Sequence, residues 1–169
     1  MQYSTTASDF MYLRENINTK KLNGSDSALA SLFLLQPKYD IELCVENSVL
    51  FRKYHGAQNR TGWAFPIPLH SASESYLHSA LAFILDQCEK ENVTPQFCLC
   101  TQEQKNLIDA CFTKHFSSCS VSWNTNRDDS DYLYLTQNLA TLSGSNYQKK
   151  RNHISRFNRI YGDDWTFKT

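Results

Sequence analysis

Glycine is scarce in this 169-residue chain, which has only Gly24, Gly56, Gly62, Gly144 and Gly162, no two within five positions of each other. No glycine-rich loop can therefore cradle a pyrophosphate, and no cofactor of the ATP, dinucleotide or coenzyme A kind is expected. Long apolar runs are missing too. The longest, Ala28–Leu35 and Ala80–Leu85, fall well short of the roughly 18 residues that a bilayer-spanning helix needs. The opening Met1-Gln2-Tyr3-Ser4-Thr5-Thr6 has no basic head followed by an apolar core, so it does not read as a secretory signal. A cytoplasmic location is expected, and without export the acceptor patterns Asn59-Arg60-Thr61 and Asn92-Val93-Thr94 carry no glycan. Net charge is absent, with 17 basic and 17 acidic residues, so overall charge favours neither nucleic acid nor membrane.

What is present suits a buried core: 41% of residues are hydrophobic and 13% aromatic. The six cysteines, Cys44, Cys88, Cys98, Cys100, Cys111 and Cys119, stand in hydrophobic segments and read as free thiols packed like small apolar groups. A zinc reading would bring together Cys98 and Cys100, sharing a strand face, with Cys111, His115 and Cys119. The C-x-C and C-x₃-H spacings are not those of the common zinc knuckles, so packing is preferred and no metal is expected.

Periodicity predicts the elements. Ser8 can cap a helix over 9–18, and Ser25 a second that Pro37 stops after Gln36. Tyr39, Ile41, Leu43 and Val45 alternate with Asp40, Glu42 and Glu46, as in a half-buried strand. Asn47-Ser48 turns into a strand at Val49–Tyr54, a third follows at Gly62–Ile67, and short connections make the three an antiparallel meander. Ser71 with Glu74, and Thr101 with Gln104, form capping boxes. They open helices carrying Leu77, Leu81, Ile84, Leu85 and Cys88, then Leu107, Ile108, Cys111 and Phe112. Gln96–Cys100 reads as a buried strand between them. Strands are expected near 119–123 and 131–135, a helix over 146–160, and a last strand at Trp165–Phe167. The whole reads as one α/β domain with a mixed, mostly antiparallel sheet flanked by helices.

The strongest bias lies near the end. From Tyr132 to Gly162 there is no acidic residue, while Lys149, Lys150, Arg151, Arg156 and Arg159 bring positive charge. On a helix, Tyr147, Ile154, Phe157 and Tyr161 form an apolar stripe, and Lys149, Asn152, Arg156 and Arg159 fall opposite. Ser143-Gly144-Ser145 stands before it as a small turn. Free amides and the helix dipole there favour an anion, and Lys149 and Lys150 can add to them. A solvated basic face with Ser145 as a simple cap, or a protein contact, remains open. His153 could act as a neutral base beside these cations, or bond a carbonyl under the helix.

Asp131-Tyr132-Leu133-Tyr134, Leu139-Ala140-Thr141-Leu142-Ser143-Gly144, Tyr147-Gln148-Lys149-Lys150-Arg151-Asn152-His153 and Phe157 resemble the hallmark stretch of the phosphatidylglycerol lysyltransferase C-terminal-domain-like family of bacteria. Ser25-Asp26, Leu32-Phe33, Lys38-Tyr39-Asp40-Ile41 and Phe65-Pro66-Ile67-Pro68 are similar to its amino-terminal pattern. The resemblance implies two acetyltransferase-like (GNAT) domains in tandem, of which residues 1–169 would form the first, with the second expected beyond Thr169. Such relatives move an amino acid from aminoacyl-tRNA to a lipid or to a cell-wall precursor, at a site drawing on both halves. It implies an aminoacyltransferase-like domain, incomplete as a catalyst alone, with no catalytic residue assigned. Ser143, Gly144, Ser145, Lys149, Lys150, Arg151, Asn152, His153 and Arg156 would face aminoacyl-tRNA or another anionic molecule. A second such domain or a homodimer would be the protein partner. A non-catalytic binding or dimerisation module is the alternative.

Overall fold

Asn47 and Ser48 both take left-handed conformations, with φ of 48° and 61°, as the tight two-residue hairpin turn requires. They join β1 (Ile41–Glu46) to β2 (Val49–His55) in antiparallel register, Ile41 opposite Tyr54 and Glu46 opposite Val49. The computed structural model describes residues 7–17, 24–57, 60–73, 75–162, 164 and 166, and it divides into two units, Met1–Asp129 and Ser130–Thr169.

In the first unit, β2 is the central strand. The stretch expected as one strand over Gly62–Ile67 lies along it in two pieces, β3 (Thr61–Trp63) against Lys53–His55 and β4 (Ile67–Pro68) against Val49–Leu50. Pro66 has no N–H for the ladder, so the strand breaks there. The meander is thus present but interrupted. Gln96–Cys100 contributes only one bridge, Phe97 beside Trp63, and it is parallel. Residues 119–123 form no strand: their backbone pairs with nothing regular, although Val121 and Trp123 point inward between exposed neighbours.

Helices cover both faces. On one side α1 (Ala7–Asn16), Ile17 just after it and α2 (Leu29–Leu34) pack Leu13, Ile17 and Leu32 against Ile41, Leu43, Leu50 and Tyr54. On the other α4 (Tyr76–Glu91) and α5 (Gln102–His115) pack Ala80, Leu81, Ile84, Ile108 and Phe112 against Val49, Phe51, Trp63 and Phe65. Burying β2 on both faces explains its continuous Val-Leu-Phe run.

Several helix ends differ from expectation. Ser8 lies inside α1, and Ser25 begins a 3₁₀ turn (Ser25–Ser27) rather than capping a long helix. Pro37 does not stop a helix but sits in the first turn of α3 (Gln36–Tyr39), where its missing N–H costs nothing. The helix α4 starts at Tyr76 after Ser75, not at Ser71, and the Glu74 half of that expected box lies outside the described residues. The Thr101–Gln104 box is formed in full.

The second unit holds α6 (Thr136–Thr141), a 3₁₀ turn at Ser145–Tyr147 and α7 (Gln148–Tyr161). The strand expected at 131–135 is absent: its backbone joins no ladder and its side chains are exposed. None of the described residues of this unit is fully buried. The strand expected at Trp165–Phe167 falls largely outside the described residues.

Candidate functional site

Gly144, with φ of 89°, reverses the chain ahead of α7. Ser145 does not cap that helix with its side chain. It opens the 3₁₀ turn instead, in which Tyr147 N donates to Gly144 O at 3.4 Å. The cap position of α7 itself falls to Tyr147, again with no side-chain bond. The turn is secured from inside the helix, because the Arg151 guanidinium Nη1 donates to the carbonyl oxygens of Leu142 and Gly144, the latter at 2.8 Å. One of the five cations is thereby committed to holding the Ser143-Gly144-Ser145 turn and carries its charge to it. That clip was not foreseen.

Gln148–Tyr161 is rich in lysine, arginine and glutamine, which lose little freedom in a helix. It ends where Gly162 takes φ of 51° and its N–H bonds Asn158 O at 2.7 Å. The first turns carry Lys149, Lys150 and Arg151 and no acid. Positive charge therefore stands at the positive end of the helix dipole, an arrangement that costs energy until an anion offsets it. Ser143, Gly144, Ser145, Lys149, Lys150, Arg151, Asn152, His153 and Arg156 are all exposed. Lys150 turns toward the Tyr134 ring, 5.3 Å from its centroid. Lys149, Asn152 and Arg156 share one side of the helix by their spacing. His153 makes no hydrogen bond to a carbonyl among the described residues, so it is not tucked beneath the helix.

The cysteines divide in a way the spacing concealed. Leu99 takes φ of 55°, and this turn sends Cys98 to the core on the α1–α2 side and Cys100 to that on the α4–α5 side. They do not share a strand face. Burial pushes the Cys98 thiol up to about 12 and the Cys100 thiol up to about 11, so neither is a thiolate nucleophile near neutrality. His115 stacks on His78, ring centroids 4.4 Å apart, rather than joining Cys111 and Cys119. Among the described residues no three His, Cys, Asp or Glu side chains gather as metal ligands.

Two further features of the first unit escaped the sequence reading. Arg52 is buried on β2, donating to the Asp26 carbonyl at 2.8 Å and the Phe65 carbonyl at 3.2 Å. Its only advance signal was an arginine inside an apolar run. A groove of about 660 Å³ runs between Thr94–Phe97 and Cys119–Asn124, floored by Phe97, Phe112 and Trp123. Trp123 is held in place by donating to Asp109 Oδ1 at 2.8 Å, while Lys105 bonds the other oxygen at 2.7 Å.

Among the described residues no helix is long and apolar enough to cross a membrane. Among curated proteins nothing matches. A crystal structure of a conserved protein of unknown function from Bacteroides thetaiotaomicron VPI-5482 superposes with a TM-score of 0.70 at 23% identity, over 96% of this chain and 51% of that one. The likeness is one of fold, and this chain spans about half the length of that protein. Residues 18–166 match the family model described as phosphatidylglycerol lysyltransferase, C-terminal, and the chain belongs to that family.

Proposed function

We propose that this chain is an aminoacyltransferase-like domain of the GNAT type, the first of a pair, whose Ser143–Arg156 region contacts aminoacyl-tRNA or another anionic molecule. The observation that carries this reading is the helix α7: three cations and no acid in its opening turns, behind a glycine turn held open by Arg151. Phosphate-bearing ligands relieve that accumulation of charge. In this reading Lys149, Lys150 and Arg156 supply the field and Arg151 keeps the turn in shape. Ser145 with the first amides receives the anion, and Asn152 and His153 orient it. No catalytic residue is assigned. The aminoacyl transfer itself would draw on a partner domain, so the chain alone binds without turning over.

The test is binding of fluorescently labelled tRNA by anisotropy. Replacing Lys149, Lys150 and Arg156 together with glutamine should weaken binding at least tenfold at low salt and flatten its dependence on salt concentration, because fewer counterions are released. Unchanged affinity in low salt rejects the reading. Arg151→Gln should weaken binding differently, through loss of the turn.

A further inference from the structure

The bridge between Trp63 and Phe97 leaves one edge of its segment open. Trp63 N donates to Gln96 O at 2.8 Å, and Cys98 N donates to Trp63 O at 2.9 Å. Successive residues of an extended chain turn their peptide groups to opposite edges, so Pro95 C=O and the N–H and C=O of Phe97 face away from β3. None of these three groups has a backbone partner among the described residues. The groove of about 660 Å³ lies on that side, since no residue of β3 lines it. Its far wall, Cys119–Asn124, is strand-like too, with Val121 and Trp123 half-buried between the exposed Ser120, Ser122 and Asn124. From Ser120 to Asn124 that wall makes no backbone–backbone hydrogen bond among the described residues. Two unpaired edges thus border one gap, over Leu85 of α4 and Phe112 of α5.

The lining selects the occupant. None of its side chains carries a charge, and Lys105 and Asp109 beside Trp123 are engaged with each other and with its indole. A phosphate, nucleotide or lipid headgroup would enter without a compensating charge, which is costly. A sugar can lie on Trp123 but does not repeat its donors and acceptors at strand spacing. An extended peptide does, at about 3.3 Å per residue, and every second side chain then meets the apolar floor. The volume falls within the roughly 300–1,000 Å³ of ligand clefts. We propose that this groove binds an uncharged peptide segment as an added strand, hydrogen-bonded to Pro95 and Phe97, with alternate apolar side chains toward Leu85 and Phe112. The site lies wholly in the first unit and uses no residue of the Ser143–Arg156 region, so it stands or falls apart from the anion-binding reading.

The probe is the capped hexapeptide acetyl-Ser-Val-Ser-Leu-Ser-Val-amide, titrated into the isotopically labelled full chain and followed by nuclear magnetic resonance. Saturable shifts are expected at the Trp123 indole and at the Phe97 amide, the latter moving downfield as it gains a hydrogen bond. Methylating every peptide nitrogen keeps the side chains but removes the donors, and should weaken binding about tenfold or more. Ser122→Glu, on an exposed wall residue, should also weaken it with the far-UV circular dichroism unchanged. Lys149→Gln with Arg156→Gln should leave it intact. Absence of a shift at Phe97, equal binding of the methylated peptide, indifference to Ser122→Glu, or shifts caused by maltose in place of the peptide overturns the proposal.

Discussion

A guanidinium 1% exposed, with no carboxylate within ion-pair reach among the described residues, is stabilised by what its nitrogens touch. Arg52 ties the carbonyls of Asp26 and Phe65 to β2, while its Nε has no partner. Nearby, Asp26 is engaged by Arg60 at 3.2 Å, and Arg60 also stacks on Tyr39. Arg52→Ala leaves two carbonyls unpaired beside a cavity and is expected to cost about 3–5 kcal/mol in chemical denaturation. Lysine should not restore the loss, since it cannot span both carbonyls in one plane. Beside it, burial raises the Tyr54 hydroxyl from 10.0 to about 12. A folded-state value above the unfolded one means stability that is whole below pH 10 and lost as pH rises toward 12. The loss should reach about 2–3 kcal/mol, and Tyr54→Phe should remove that part of the alkaline decline. At this scale the sequence was legible wherever a residue did what its class does, as at Ile84 and Leu50. It was silent on Arg52, because a charge in a strand pattern reads as facing solvent.

The elements with the clearest boundaries are those whose ends are chemically marked. Thr101 and Gln104 exchange their two bonds as the spacing demands, so α5 starts where expected. Ser25 and Pro37 misled because the same residue types serve turns and first helical turns equally well. Leu99 hid the split of the cysteines, since a left-handed leucine has no sequence signature. Between α4 and α5 lies a pairing that spacing along one helix could not show, His78 on His115. Desolvation against the stack, with His78 and Lys114 nearby, lowers His115 below its usual 6.5. A lowered value implies a contribution present above about pH 6.5 and lost as acid protonates the ring. Nuclear magnetic resonance titration should find His115 below its ordinary value, and His78→Ala should raise it. If His78→Ala left the His115 titration in place, the stack would have no such effect.

For the whole molecule, the two units differ in how much each buries. The first has a core on each face of β2, with Leu32, Leu50, Leu81, Ile84 and Ile108 at 0% exposure. The second has no fully buried residue among those described. Amide exchange followed by mass spectrometry should accordingly show the strongest protection over β2 and α4, and far weaker protection over Thr136–Tyr161 in the monomeric state. Equal protection in both would contradict this. The α/β class, the meander and the helices flanking the sheet were legible because hydrophobic period reports burial. The strand signals at 119–123 and 131–135 were not realised, since alternation states which faces a segment can bury and not whether a neighbouring edge exists to receive it.

The single bridge between Trp63 and Phe97 sets an order of events in folding. The β1–β2 hairpin needs only its own residues and a two-residue turn, a process of microseconds. Phe97 reaches Trp63 only after the polypeptide has gone out through β4 and all of α4 and returned, so this contact carries the loop-closure cost of that excursion. It must also pass Gly62, where a Cβ would lie 2.4 Å from the Gln96 carbonyl oxygen. A methyl group at that one position would therefore block the last closure of the sheet while leaving its first hairpin free to form.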